Sequence, residues 1–200
     1  MIKKYNLEIM TVIFLVMIVS CLLSGREWSR IQWIMMAYMF LFTLHEWEET
    51  RFPGGFTDLM VKFFGEKTTE DKLATAHIPV AVLLIVITFV PFFSQLPVLV
   101  LVPVYLGVFE MFIHVAGIKI HKMDKPYTPG MATAIILGIT SVFVLITFSK
   151  EQLLSTGGYL LGVPLTLLCF AAMQRTVLAI YGLSYGFVLE NVKKRFKGTA

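Results

Sequence analysis

The sequence contains little charge and few cysteines. Only 15% of its 200 residues are Asp, Glu, Lys or Arg, against about 25% in an average soluble domain, while 57% are hydrophobic. So little polar surface excludes a disordered chain, a nucleic-acid-binding domain and an ordinary soluble enzyme. The two cysteines, Cys21 and Cys169, lie in apolar runs and form no disulfide framework, zinc motif or paired redox motif. The sequence also lacks a Ser-centred nucleophile elbow, a His-Glu-x-x-His motif and a Gly-rich phosphate loop.

Long apolar runs dominate what the sequence does contain. A membrane-spanning helix needs about 20 mostly apolar residues, and the runs that meet this need are 6–23, 29–51, 75–93, 97–117, 130–148 and 152–173. The apolar residues 176–189 are few for a span, and they could extend the sixth helix, lie at the interface or cross a seventh time. We therefore predict an all-α fold, a polytopic transmembrane helix bundle that forms a single domain over residues 1–200.

The distribution of basic residues predicts six crossings and an orientation. With six spans, fourteen of the 17 Lys and Arg residues lie on the side that holds the N-terminus, and the positive-inside rule makes that side cytoplasmic. A seventh crossing would place the basic C-terminal tail, residues 190–200, outside, which the rule disfavours. We expect an integral protein of the plasma (inner) membrane with both termini in the cytoplasm.

The longest hydrophilic stretch, residues 53–73, lies between the second and third predicted spans. Within it, apolar residues recur at i, i+3, i+4, i+7 and i+8 from Phe56 to Phe64. This spacing is typical of a short amphipathic helix at the cytoplasmic interface. Two roles are open for this helix: it shields its own apolar side chains, or it forms a lid over a site beneath it.

A group of ionisable residues ends the second predicted span. Residues 45–49 read His-Glu-Trp-Glu-Glu, and ionisable groups inside a span are costly enough that each needs a reason. His45, Glu48 and Glu49 are three or four residues apart and are therefore expected to face the same way. Glu46 is expected to point elsewhere.

The other three histidines fall on the same side of the membrane. His77 begins the third span, His121 follows the fourth, and Glu110 and His114 lie at i and i+4 within the fourth. Imidazole and carboxylate groups from facing helices are typical of zinc and non-haem iron sites. A divalent metal would neutralise a carboxylate at the depth of Glu110. Alternatively, Glu110 is protonated, or pairs with His114 or with a lysine such as Lys119.

This convergence predicts a mononuclear or dinuclear site for a divalent metal, zinc or iron or manganese, near the cytoplasmic leaflet. The predicted ligands are His45, Glu48, Glu49, His77, Glu110 and His114. The predicted catalytic residues are Glu46 and Glu48, since a carboxylate that is not a ligand could act as general base. Whether His121 joins the site stays open.

The block from His45 to Glu49 resembles the signature of the HXXEE domain family, small integral membrane proteins of bacteria and archaea. The resemblance extends from about the second helix to the fifth or sixth. Glu110, His114 and the pair Pro129-Gly130 could match a further glutamate, a histidine and a Pro-Gly pair in that family. The resemblance implies a site at these residues and names no reaction.

Three functions fit these residues. The first is a metal-dependent membrane enzyme acting on a lipid or other hydrophobic molecule, either a hydrolase or a non-haem iron oxidoreductase. The second is a transporter or permease for a metal ion or small solute, because intramembrane His and Glu also form ion pathways. The third is a non-catalytic accessory or sensor protein in which these residues form a structural polar network. The lipid membrane is the expected partner, a homo-oligomer is compatible with this length, and no nucleic acid is expected.

Overall fold

The computed structural model describes residues 4–65 and 69–196, which form α-helices and no strand. The helices are α1 (Asn6–Leu23), α2 (Arg30–Thr50), α3 (Phe56–Phe64), α4 (Glu70–Ser94), α5 (Pro97–Ile120), α6 (Met131–Lys150), α7 (Thr156–Tyr181) and α8 (Tyr185–Phe196). The predicted all-α helix bundle is confirmed. The basic residues Lys3, Lys67 and Lys197 and the end of the predicted tail, 197–200, lie outside the described residues.

Five of these helices are long and apolar enough to cross a membrane: α1, α4, α5, α6 and α7. The remaining predicted span, 29–51, corresponds to α2, which has 21 residues but carries Glu46, Glu48 and Glu49 near its end. Because α2 packs against α1, α4, α5 and α6, much of its surface faces other helices. The chain is therefore a membrane-embedded helical bundle in which the least apolar long helix is largely enclosed.

Ion pairs show which helix ends lie together. Glu8 near the start of α1 contacts Arg51 just after α2, with Oε1 and Nη2 2.7 Å apart. Arg30 at the start of α2 forms an ion pair with Glu151, which follows α6. We call the end of the bundle that holds Glu8 and Arg51 the motif end, and the end that holds Arg30 and Glu151 the far end.

The helix α7 continues without a break through Gln174 and Arg175 to Tyr181. The first residues of the ambiguous stretch 176–189 therefore extend the sixth predicted helix. Gly182, with φ at +68°, then turns the chain into α8. A left-handed backbone of this kind suits glycine because it has no Cβ.

Two short helices meet at the motif end. α3 has the bounds that its amphipathic pattern predicts, and α8 lies against it. Asn191 Nδ2 donates to the carbonyl oxygen of Phe63 at 3.2 Å, and Arg195 Nη2 donates to that of Lys62 at 2.9 Å. These side-chain bonds tie α8 to the end of α3.

Apolar side chains fill the interior between the two ends. Met35, Met39 and Phe42 of α2 are almost fully buried. The hydroxyl groups of Tyr38 and Ser141 form a buried hydrogen bond, with oxygen atoms 2.6 Å apart. A Cβ at Gly107 would lie 2.5 Å from Ser141 Oγ, so a glycine at this position lets α5 approach α6 closely.

Candidate metal centre

Two histidines and two glutamates from α2 and α5 meet at the motif end. His114 Nε2 lies 3.2 Å from Glu49 Oε1 and 3.7 Å from Glu110 Oε2. His45 Nε2 lies 3.8 Å and 3.9 Å from the same two oxygen atoms. Both imidazoles are buried and meet edge to face, with ring centroids 5.0 Å apart. We call these four residues the His/Glu cluster.

The cluster follows from helix geometry. Residues four apart share one face of a helix, so α2 presents His45 with Glu49 and α5 presents Glu110 with His114. Both helices run towards the motif end, but the order of imidazole and carboxylate is reversed between them. Each imidazole therefore lies beside a carboxylate of the other helix. Potential ligand atoms of His45, Glu110 and His114 all lie within 4.8 Å of one another. Glu49 is outside that group and belongs to the cluster through its contacts with both imidazoles.

The hydrogen bonds of His45 fix its tautomer. Its Nδ1 lies 3.2 Å from the carbonyl oxygen of Gly130 and 3.0 Å from Thr133 Oγ1. A carbonyl oxygen can only accept a hydrogen bond, so Nδ1 carries the proton. The Nε2 atom of His45 therefore presents a lone pair to the cluster.

The hydrogen bonds of His114 with Thr128 indicate the same tautomer for this imidazole. The Thr128 hydroxyl donates to the carbonyl oxygen of His114 at 3.1 Å, and His114 Nδ1 lies 3.1 Å from Thr128 Oγ1. Because the hydroxyl proton is used, Thr128 Oγ1 accepts from the Nδ1–H group. The Nε2 atom of His114 thus also presents a lone pair to the two carboxylates.

When both imidazoles are neutral and carry their proton on Nδ1, four acceptor atoms face one another in a buried space. Such an arrangement is unfavourable unless a cation or protons lie among the acceptors. Metal–ligand bonds of 2.0–2.2 Å in a tetrahedral site place ligand atoms about 3.3–3.6 Å apart. The distances of 3.2–3.9 Å in the cluster are close to this spacing. These four residues could therefore hold one divalent metal ion with small adjustments of their side chains.

Glu48 faces away from the cluster, towards the first turn of α6. Its Oε1 accepts from the Tyr127 hydroxyl at 2.8 Å and from Ala132 N–H at 3.0 Å. Its Oε2 accepts from Thr133 N–H at 2.7 Å and from the Thr133 hydroxyl. The first N–H groups of a helix have no partner within it and carry partial positive charge, which suits a carboxylate. Burial and donation to Glu48 raise the pKa of Tyr127 to about 12, so this phenol remains a donor.

The sequence predicts that Glu48 shares the face of His45 and Glu49, and that Glu46 points elsewhere. The structure reverses the two glutamates. Glu46 lies three residues before Glu49 and lines the same cavity, close enough to Glu49 and Glu110 for their charges to interact. The structure does not bring Glu48, a predicted ligand and catalytic residue, into the cluster.

Gly130 packs directly against the cluster. Its φ is +86°, and a Cβ there would lie 2.5 Å from Glu49 Cγ and 2.9 Å from the Cε1 atoms of His45 and His114. No other residue fits both this backbone conformation and this space. The Pro-Gly pair before α6 is therefore part of the wall of the site.

A cavity of about 360 Å³ is lined by the cluster and by Glu46. Its other walls come from α3, α4, α7 and α8, and they are mainly apolar, with Phe63, Phe170 and Val177 among them. The helices α3 and α8 both contribute side chains to this cavity. The helix α3 thus lines a cavity, and its role as a lid stays a prediction.

Two further histidines line the cavity without joining the cluster. His77 of α4, a predicted ligand, is not among the residues whose ligand atoms converge. His121 packs edge-on against Phe63 with ring centroids 5.3 Å apart, and the Arg195 guanidinium lies over the same Phe63 ring. Burial and the charge of Arg195 lower the pKa of His121 to about 4, so the imidazole is neutral at pH 7.

Three residues that support the site are absent from the sequence-based predictions. Thr128 and Thr133 orient the two imidazoles, and Tyr127 hydrogen-bonds Glu48. Thr128 and Thr133 could have been found from the sequence, because they flank the Pro-Gly start of α6. Threonine hydroxyl groups commonly form hydrogen bonds near the start of a helix. Nothing in the sequence singles out Tyr127.

Comparison with known proteins gives a family match. A family model described as a protein of unknown function with HXXEE motif matches residues 33–145. This range is more than half of the chain and includes the whole cluster, Glu48 and Gly130. No curated protein and no solved structure matches significantly.

Proposed function

We propose that the chain, which belongs to the HXXEE family, is a metal-dependent membrane hydrolase. The observation that supports this most strongly is the set of four buried acceptor atoms, two imidazole Nε2 and two carboxylate oxygens, that face one another. In this proposal His45, Glu110 and His114, whose ligand atoms converge, hold one divalent cation. A fourth position is left for water, as in catalytic zinc sites, and Glu49 lies beside it. Zinc suits such a mixture of imidazole and carboxylate ligands.

Glu46 is the proposed general base. A bound divalent metal would lower the pKa of a coordinated water towards neutrality. Glu46 lines the cavity beside the cluster but contributes no atom to it. A carboxylate in this position can accept the proton of an attacking water. The presence of a spare carboxylate is the reason for preferring hydrolysis to oxygen chemistry.

The substrate in this proposal is hydrophobic. The cavity beside the cluster is mainly apolar, and the bundle that holds it is membrane-embedded. An apolar pocket with a few convergent polar groups is the usual form of a small-molecule site. A molecule dissolved in the bilayer could enter it without crossing water.

The two alternative functions have less support. A transporter needs a polar path to the far end, but the described interior on that side is filled by residues such as Met35, Met39 and Phe42. A purely structural network needs donors that satisfy its acceptors. In the cluster, the Nδ1 protons of both imidazoles point away from the carboxylates.

Metal content tests the proposal. We would measure metals in the detergent-purified wild type and in the variants His45→Ala, His114→Ala and His77→Ala. We expect about one equivalent of zinc, iron or manganese in the wild type and in His77→Ala, and none in the two cluster variants. His77→Ala is the matched control because it removes an imidazole from the same cavity but not from the cluster.

The hydrolytic step needs its own measurement. We expect Glu46→Gln to keep its metal but to lose most hydrolysis of p-nitrophenyl octanoate, an uncharged hydrophobic ester. Folded wild-type protein that contains no metal, although never exposed to a chelator, would overturn the metal site. Full hydrolysis by metal-loaded Glu46→Gln would overturn the role of Glu46 only.

A further inference from the structure

The charge of the cavity restricts what can bind there. Glu46, Glu49 and Glu110 bring three carboxylates to its lining, and none of its described lining residues is Lys or Arg. Phosphate and carboxylate groups are normally bound by Arg or Lys, so an anionic headgroup would lack its usual partners among these lining residues.

The cations near the cavity do not change this conclusion. The Arg195 guanidinium lies over the Phe63 ring and donates to the carbonyl oxygen of Lys62. Lys72 Nζ donates to the carbonyl oxygen of Tyr181, a lining residue. His121, which does line the cavity, is neutral at pH 7 because burial and Arg195 lower its pKa. The cavity therefore favours a headgroup without charge.

The size of the cavity restricts the ligand further. A group the size of a water molecule takes about 30 Å³, so about 360 Å³ holds roughly a dozen non-hydrogen atoms. One chain of about ten carbon atoms with a small headgroup fills this space. A second acyl chain would lie outside this space, so a single chain matches the cavity better.

The walls fit an aliphatic chain rather than a polar body. Phe109 of α5 and Phe170, Met173 and Val177 of α7 line the cavity. The polar cluster is contributed by α2 and α5. A ligand with one polar end and one apolar end matches this division.

We infer that the cavity binds an uncharged, single-chain amphiphile of the fatty ester or fatty amide class, with its carbonyl group at the His/Glu cluster and its chain against α7. The inference rests on the proposed function. Hydrolysis of such an ester adds the water oxygen to the carbonyl carbon and breaks the bond to the alcohol oxygen. Glu46 passes one proton of the water to the leaving alcohol, and the acyl group leaves as the carboxylic acid with the other proton.

Photolabelling of the full chain in lipid nanodiscs tests the ligand class. The probe is a methyl ester of decanoic acid with a diazirine near the end of its chain, and labelled positions are mapped by mass spectrometry. We expect labels on α7 near Met173 and Val177. Decanamide should suppress this labelling at a concentration at least tenfold lower than decanoate, decyl phosphate or dioctanoylglycerol.

Two results would overturn the inference. Equal or better competition by decanoate or decyl phosphate would contradict the uncharged headgroup, and equal competition by dioctanoylglycerol would contradict the single chain. These measurements need no bound metal. A wild type without metal would therefore defeat the proposed function while the labelling still decided the ligand class.

A matched pair of variants checks that the labels report this cavity. We expect Val177→Trp, which fills the cavity, to lower labelling at least fivefold while the metal content is unchanged. Leu168→Trp adds the same side chain to α7 at a position that is 67% exposed, and it should change nothing. Equal labelling of the two variants would place the ligand outside the cavity and overturn the inference.

Discussion

The two ends of the bundle hold charge in opposite ways. At the far end, Arg30 and Glu151 pair at the surface with side chains that are 56% and 38% exposed. At the motif end, the four side chains of the His/Glu cluster are between 4% and 21% exposed. A surface ion pair gains little because water solvates both partners. Buried acceptors depend on what lies between them, so the fold must supply a cation or protons at the motif end alone.

The connections between helices also differ between the two ends. At the far end, residues 95–96 suffice to join α4 to α5. At the motif end, the chain adds α3, α8 and the loop 121–130, and all three line the cavity. Functional residues commonly lie on connections that a rigid scaffold holds in place. The two ends therefore differ in how much chain surrounds buried polar groups, and the following variants measure that difference.

The largest expected effect comes from a methyl group at Gly130. Gly130 and Gly25 both have a positive φ, but a Cβ at Gly25 would meet nothing within 4 Å. An alanine in this backbone region costs about 1–2 kcal/mol at either position. At Gly130 the clash with Glu49 and both imidazoles adds about 1–3 kcal/mol.

Thermal unfolding of Gly130→Ala and Gly25→Ala, with metal content measured in parallel, compares the two ends directly. We expect the Gly130 variant to have the lower midpoint and to lose most of its metal. Gly25→Ala should keep its metal. Equal midpoints and equal metal content would contradict the close packing of Gly130 against the cluster.

The next largest effect is expected for Glu48→Gln. The amide keeps one acceptor oxygen but turns an NH2 group towards N–H donors at the start of α6. Because α6 and Thr133 orient His45, we expect metal affinity to fall about 10–100-fold, as for other residues that position ligands. Competition with a chelator measures this. The control is Glu8→Gln, which removes the carboxylate that pairs with Arg51 and should leave the metal affinity unchanged. If Glu48→Gln also left the metal affinity unchanged, the positioning role of Glu48 would be refuted.

The bundle could be predicted from the sequence because its determinants are local. Apolar runs set the long helices, and a short amphipathic pattern set α3. Two features depended on more than the local pattern. Gln174 and Arg175 interrupt an apolar run but not the helix, since both residues are compatible with α-helix. α2 is less apolar than a span usually is because neighbouring helices enclose it.

The site could be predicted only as far as helix spacing reaches. The pairs His45 with Glu49 and Glu110 with His114 are fixed by the four-residue repeat. The four-residue repeat does not decide whether Glu46 or Glu48 faces the cluster, because each lies three residues from another member of the motif. It depends on how α2 is rotated relative to α6, which only packing decides. Likewise, sequence position gives the depth of His77 in the membrane but not the direction in which it faces.

A smaller effect is expected from His121 when the pH falls. Its pKa is about 4 in the folded chain, against 6.5 for the free side chain. The folded state therefore binds fewer protons than the unfolded state between these values, and stability falls as the pH drops from about 6.5 towards 4. We expect the unfolding midpoint of the wild type to decrease more than that of His121→Gln between pH 7 and pH 5. Since the cluster is present in both, parallel pH profiles would contradict a neutral, partly buried His121.

The smallest effect is expected at the far end, from Glu151→Gln. This change removes the surface ion pair with Arg30 and should cost about 0–1 kcal/mol, because both side chains remain exposed to water. The difference from the wild type should also vanish as the salt concentration rises, since salt screens exposed charges. Metal content should be unchanged. A cost above about 2 kcal/mol that persists in high salt would mean that the far end depends on its charges as strongly as a buried site does, and the contrast between the two ends would fail.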